Sequence, residues 1–320
     1  MNIVVLDAFT TNPGDLSWDP VAQLGNAVFY DRTAREDVVS RAIDAEILLT
    51  NKVVLDANTL NQLPKLKYVG VLATGYNVVD LKKAAEKGVV VTNIPSYSSE
   101  SVVQNAFAHL LNLASSYALN VAATRSGEWS QCQDFSFTRG KLTELWQKTI
   151  GVVGYGTIGK RVAQVALAFG MKALVYGPRL TPGVELLPGV ATATLDELFQ
   201  KSDVVSLHCP LNESTSKLVN SERLKEMKRG AFLINTGRGG LIDEASVAEA
   251  LRSGQLGGVG VDVLSTEPPK ETNPLLSAPN CYVTPHNAWA SLEARRRLVA
   301  IAAANIKAFQ ENKPQNVVNK

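Results

Sequence analysis

Cysteine, histidine and methionine each occur only three times in these 320 residues, and each scarcity excludes something. The cysteines, Cys132, Cys209 and Cys281, are odd in number, far apart and form no CxxC pair. A disulfide framework and a zinc cluster are therefore not expected, and a reducing, cytoplasmic setting is. With so few histidines, each can be weighed by itself. No apolar run approaches the roughly 20 residues that cross a bilayer. The opening Met1–Asp7 lacks a basic n-region and has too short an apolar run for a signal peptide, so it reads as a first β-strand. A surplus of one charge is also missing: the formal net charge is +2 and the basic residues are scattered. That gives no electrostatic reason to expect nucleic acid or an anionic membrane as partner. Low-complexity linkers and short-period repeats are absent too.

What remains is an alternation of short β-branched runs with longer helical patterns. Strands are expected at Ile3–Leu6, Ile47–Thr50, Tyr68–Leu72 and Val89–Thr92. A second set falls at Thr149–Val153, Ala173–Tyr176, Val204–His208, Ala231–Asn235, Gly258–Val263 and Tyr282–Thr284. Most are continuous apolar runs, as parallel strands covered on both faces require. The order implies an α/β fold of two Rossmann-like, doubly wound parallel-sheet domains. A long helix from Ser99 to about Arg125 separates the two sets, and another runs from about Ser291 to Glu311. The simplest division is a discontinuous first domain, 1–98 plus 289–320, and a second at 99–288, with the last helix crossing back.

Ile150-Gly151-Val152-Val153-Gly154-Tyr155-Gly156-Thr157-Ile158-Gly159 is an apolar strand entering a GxGxxG turn and then a helix. Gly154 would permit the tight turn, Gly156 the approach of a pyrophosphate, and Gly159 close packing of helix on strand. The amides at the helix start, at Thr157 and Ile158, are suited to phosphate oxygens. An NAD-binding unit usually places an acidic residue about 20 residues later to hold the ribose hydroxyls. Here that place is held by Gly177, followed by Pro178 and Arg179. No carboxylate is present there to repel a 2′-phosphate, and Arg179 could pair with one, so NAD(H) and NADP(H) both stay open.

Three later strand ends carry candidate chemistry. Arg238, in Thr236-Gly237-Arg238-Gly239-Gly240, could present its planar fork to a carboxylate. Glu267 precedes two prolines, and His286 directly follows a strand, where a general acid–base could reach a cleft. His109 lies within a helix and reads as packing. His208, in His208-Cys209-Pro210, reads as lining the nicotinamide side of a cofactor site, and Cys209 as packing rather than a nucleophile.

Strand-end Arg238, Glu267 before Pro-Pro, and His286 followed three residues later by Trp289 together resemble the D-isomer-specific 2-hydroxyacid dehydrogenase family. The resemblance covers essentially the whole chain. Ala73-Thr74-Gly75-Tyr76-Asn77-Val78-Val79-Asp80 is similar to the substrate loop of its glycerate dehydrogenase (hydroxypyruvate reductase) branch. The resemblance implies that the Thr74 and Gly75 amides, with Arg238 and His286, bind a small 2-oxo or 2-hydroxy acid. It implies Arg238, Glu267 and His286 as the catalytic group, Asp262 against the nicotinamide amide, and a homodimer. Cofactor contacts would come from Gly154, Gly156, Thr157, Ile158, Gly159, Gly177, Arg179, His208, Cys209, Pro210, Thr236, Arg238, Asp262 and His286, with no metal. Glycine at 177 departs from the family's usual acidic residue and leaves the cofactor preference undecided. D-lactate and phosphoglycerate enzymes share the triad. So can an NAD(H)-sensing corepressor, although no docking extension is seen here.

Overall fold

The computed structural model describes residues 1–319. The chain divides into two compact units, Met1–Ser98 with Trp289–Lys320, and Ser99–Ala288.

The first unit holds strands β1 (Asn2–Val5), β2 (Asn26–Phe29), β3 (Ile47–Thr50), β4 (Tyr68–Val71) and β5 (Val90–Thr92). They form one parallel sheet in the order β2-β1-β3-β4-β5. β3 and β4 are buried along their whole length because helices cover both faces. The edge strand β2 is only half-buried at best; it is not among the strands expected from the sequence. The helix Leu292–Gln310 sends Leu298, Ala302 and Ile306 into the same core as Ile3, Leu49 and Tyr68. Each such aliphatic side chain contributes roughly 1.5–3 kcal/mol by leaving water.

Strand order reverses between β1 and β3, where open α/β sheets ordinarily take a ligand. Here the chain fills that crevice with its own anion. Asp7, 3% exposed, accepts from the amides of Asn51 (2.8 Å), Lys52 (2.6 Å) and Val53 (3.3 Å). Burial raises its pKa, and the three amide bonds oppose that rise.

The second unit contains β6 (Thr149–Val153), β7 (Lys172–Tyr176), β8 (Glu185–Leu187), β9 (Val190–Thr192), β10 (Val204–Leu207), β11 (Ala231–Asn235), β12 (Leu256–Val261) and β13 (Cys281–Val283). Their order is β13-β12-β11-β10-β6-β7-β9-β8, parallel except for the β8–β9 pair. That pair turns at Pro188-Gly189, with Gly189 at φ +84°. Three-residue strands beside a Pro-Gly turn are too short to leave a periodic signature, and they too were not expected. β10 and β11 are wholly buried. Phe199, Leu224 and Leu251 cover one face of the sheet, and Phe107, Leu110, Val162 and Ala166 cover the other.

The expected single helix from Ser99 to Arg125 is two, Ser99–Ser115 and Tyr117–Arg125. Ser116 breaks them at φ +48°. The break is held by Asn112, whose side chain accepts from Ala118 N (2.8 Å), and by Asn120, which donates to Ser116 O (2.9 Å). These side-chain bonds to backbone compete with the helical ladder, which hydropathy alone does not register.

Candidate active site

The second unit reverses its strand order between β6 and β10. Gly154, just after β6, has φ +98° and lies directly on the loop after β10. A Cβ there would sit 2.6 Å from Cys209 N and 2.6 Å from His208 O, so only glycine lets the two loops touch. A Cβ on Gly159 would run into the Gly154 carbonyl, so the helix Thr157–Ala168 can pack this closely only with glycine at that position. Gly156 is the reverse case: an added Cβ would meet nothing within 4 Å. It forms the N-cap of that helix and offers no side-chain cap. The first-turn amides therefore face open space without a side-chain acceptor, an arrangement suited to phosphate oxygens.

The surrounding residues fit a dinucleotide. The Thr236 hydroxyl, at the end of β11, is buried and has no hydrogen-bond partner among the described residues. Gly177 opens a turn after β7 in which Leu180 N donates to Gly177 O (3.0 Å), leaving Arg179 exposed. His208 Nε2 lies 2.7 Å from Ser206 Oγ, and burial pushes its pKa down to about 4, so the ring is neutral at physiological pH. Burial also raises the Cys209 pKa, which keeps it a thiol rather than a nucleophilic thiolate.

Arg238 follows β11 on a loop that its neighbours lock. Asn235 Nδ2 donates to Arg238 O (2.9 Å), Gly237 N donates to Asn235 Oδ1 (3.1 Å), and the guanidinium donates to Gly237 O (2.7 Å). Gly239 has no room for a side chain because the Leu264 carbonyl lies against it. The arginine loop is thereby seated on the loop that carries Glu267.

Glu267 uses both oxygens. Oε1 accepts from Leu264 N (3.0 Å), and Oε2 lies 2.6 Å from His286 Nδ1. The two side chains are about one-third exposed, at 34% and 32%, so the pair lies open to a ligand on one side. His286 itself has φ +50°, a left-handed backbone that few non-glycine residues adopt. Its amide donates to Asp262 O (2.9 Å) and Thr284 O (2.9 Å). Asp262, 1% exposed, receives Thr284 Oγ1 (2.6 Å), Asn287 N (3.0 Å) and Ala288 N (2.9 Å) on its carboxylate. Three of its roughly four acceptor positions thus serve the His286 loop. The sequence offered no sign of this anchoring use of Asp262.

In the first unit, Thr74 and Gly75 follow β4. Thr74 Oγ1 donates to Ile94 O (2.9 Å), and Asn93 Nδ2 donates to Thr74 O (2.8 Å), so the loop is tied to the chain after β5. Among the described residues no group of three or more His, Cys, Asp or Glu could hold a metal ion.

The family model for the NAD-binding domain of D-isomer specific 2-hydroxyacid dehydrogenases matches residues 107–288. A hydroxypyruvate reductase of Blautia hydrogenotrophica is 44% identical over the full length of both chains. A glycerate dehydrogenase of Methylorubrum extorquens is 40% identical over 88% of each. Among solved structures, an acyclic imino acid reductase in complex with NADPH and D-Arg superposes with a TM-score of 0.85 at 29% identity, covering 99% of this chain and all of its own.

Proposed function

The chain belongs to the D-isomer-specific 2-hydroxyacid dehydrogenase family, and from that premise we propose that it reduces hydroxypyruvate or glyoxylate to D-glycerate or glycolate. It is an NAD(P)-dependent enzyme with two Rossmann-like units. The observation that carries the proposal is the pinned pair Glu267–His286, one carboxylate oxygen on its own loop and the other 2.6 Å from the ring.

When bound, the nicotinamide supplies or accepts the hydride at C2 of the acid. The residues of the chain do the rest. Glu267 accepts a hydrogen bond from Nδ1–H and holds the ring's orientation, so Nε2 is the nitrogen that gives its proton to the developing alkoxide and takes it back in oxidation. Arg238 offers charged N–H donors to the substrate carboxylate and polarises the carbonyl. In the first unit, the loop of Thr74 and Gly75 offers backbone amides of the kind that bind a carboxylate. Names of relatives and the Ala73–Asp80 loop favour hydroxypyruvate over pyruvate.

For the cofactor, the absence of a carboxylate at 177 and the exposed Arg179 favour NADP(H). The exposed apolar side chains between residues 117 and 146, Phe135 at 92% and Trp146 at 61% among them, favour burial against a second copy of the chain as a homodimer. Cys132, Cys209 and Cys281 are all free, as suits a reducing cytoplasm.

The test is oxidation of NADH and NADPH at 340 nm with hydroxypyruvate, glyoxylate and pyruvate. Turnover of the first two with NADPH preferred is the expected result, and a strong NADH preference removes the Arg179 reading. Turnover of none would leave a cofactor-sensing binding protein. His286→Asn should abolish turnover while cofactor binding persists, and light scattering should give the mass of a dimer.

A further inference from the structure

His109 and Thr284 are buried or half-buried polar residues that the reaction above leaves unused, yet they hydrogen-bond to each other 175 positions apart. Their bond has a direction. A threonine hydroxyl has one proton, and Thr284 gives it to Asp262 Oδ1 at 2.6 Å. Thr284 Oγ1 can then only accept from His109 Nε2, 3.1 Å away, which places the imidazole proton on Nε2. Burial lowers the His109 pKa, and the charge of Asp262 opposes this only in part, so the ring is a neutral donor.

The chain of bonds continues into the catalytic loop. The Asp262 carboxylate holds Asn287 N and Ala288 N, and its carbonyl holds the amide of His286. That loop needs holding, because a non-glycine residue at φ +50° sits in a strained, sparsely populated backbone conformation. His109 also touches the neighbouring strand end. A side chain at Gly260 would meet His109 Cβ at 2.5 Å and Cγ at 2.7 Å, so β12 accommodates the imidazole by having none there. One residue of the Ser99–Ser115 helix thus meets both strand ends that carry the acid loop.

We propose that His109 is a positioning residue for His286, acting through the Thr284 hydroxyl and the Asp262 carboxylate. A merely space-filling histidine would need neither the Nε2 proton nor the hydroxyl. The proposal rests on the reading of His286 as the proton donor, and the experiment separates the two.

Hydride transfer to hydroxypyruvate is measured in a single turnover by cofactor absorbance at 340 nm for Thr284→Val, Thr284→Ser, His109→Phe, His109→Gln and His286→Asn. Thermal unfolding and substrate affinity are measured on the same samples. Thr284→Val is expected to slow hydride transfer about tenfold and His109→Phe about fivefold, with substrate affinity within twofold of the parent. Thr284→Ser restores the hydroxyl and His109→Gln an N–H donor, so both should return to within about twofold. Rates within twofold of the parent for Thr284→Val and His109→Phe, or losses that the serine and glutamine variants fail to rescue, overturn the proposal. Should His109→Phe not fold, the Thr284 pair decides alone. An inactive His286→Asn beside an unimpaired Thr284→Val removes the relay and leaves His286 as the acid. An active His286→Asn removes that reading itself.

Discussion

Replacing Glu267 with glutamine tests the acid–base pair with the smallest change in shape. In the parent, Oε1 accepts from Leu264 N at 3.0 Å and Oε2 faces His286 Nδ1 at 2.6 Å. Both of those partners are donors when the ring is charged. A carboxylate satisfies both, but an amide has one oxygen and must choose. If it keeps Leu264, its NH2 opposes the Nδ1 proton; if it turns, the loop amide loses its acceptor. A hydrogen bond to a charged group contributes about 1.5–3 kcal/mol and a neutral one about 0.5–1.5. The difference is about 1–2 kcal/mol, and partial exposure of the pair, near one-third on each side, favours the lower half. At about 1.4 kcal/mol per factor of ten, Glu267→Gln should lower kcat/KM about five- to twelvefold, and Glu267→Ala about ten- to a hundredfold. The assay is steady-state reduction of hydroxypyruvate at 340 nm, with cofactor affinity measured separately by fluorescence. With that affinity unchanged, the reverse oxidation must fall by the same factor, because the enzyme does not alter the equilibrium. A glutamine variant within twofold of the parent in both directions would refute the role given to the carboxylate.

Gly159→Ala should place a Cβ on the Gly154 carbonyl, weaken NADPH and NADH binding at least about tenfold in a fluorescence titration, and cost about 1–3 kcal/mol of stability through overpacking. Asp7→Ala should strand the amides of Asn51 and Lys52 in a buried crevice, at a cost of about 2–4 kcal/mol. That corresponds to a fall in Tm of roughly 5–15 °C by circular dichroism, and a shift under about 2 °C would show that water replaces the carboxylate freely. His208 has a folded pKa of about 4 against an ordinary 6.5, so the unfolded chain takes up its proton first as pH falls. The stability tied to this neutral ring is complete above pH 6.5 and lost between there and about pH 4, a loss of about 2 kcal/mol after allowance for partial exposure. Urea melts of the cofactor-free protein at pH 7 and pH 4.5 should show that loss, and it should shrink in His208→Gln.

The sequence by itself determined the features that depend on neighbours along the chain. Continuous apolar runs such as Phe232–Ile234, bounded by turn residues, mark strands covered on both faces, and ten of the strands were placed from such runs to within two residues at either end. The spacing Gly154, Gly156, Gly159 between a strand and a helix marked the nucleotide turn, because each glycine answers a local steric demand. The runs that escaped were the edge strand Asn26–Phe29 and the hairpin at Pro188-Gly189, too short or too turn-like for periodicity to register.

Tertiary structure decided what depends on residues far apart. Glu267 meets His286 across 19 positions and His109 meets Thr284 across 175, and no local pattern encodes which carboxylate faces which ring. His109 had read as packing; it is buried as packing requires, but its Nε2 proton has a named acceptor. Asp7 looked like the end of a first strand, and folding turned it into the anion that closes one sheet's crevice. The other sheet's crevice, open at Gly156, retains uncapped amides. Hydropathy records whether a residue leaves water, whereas the direction of a hydrogen bond and the occupant of a crevice are settled only when the strand ends come together.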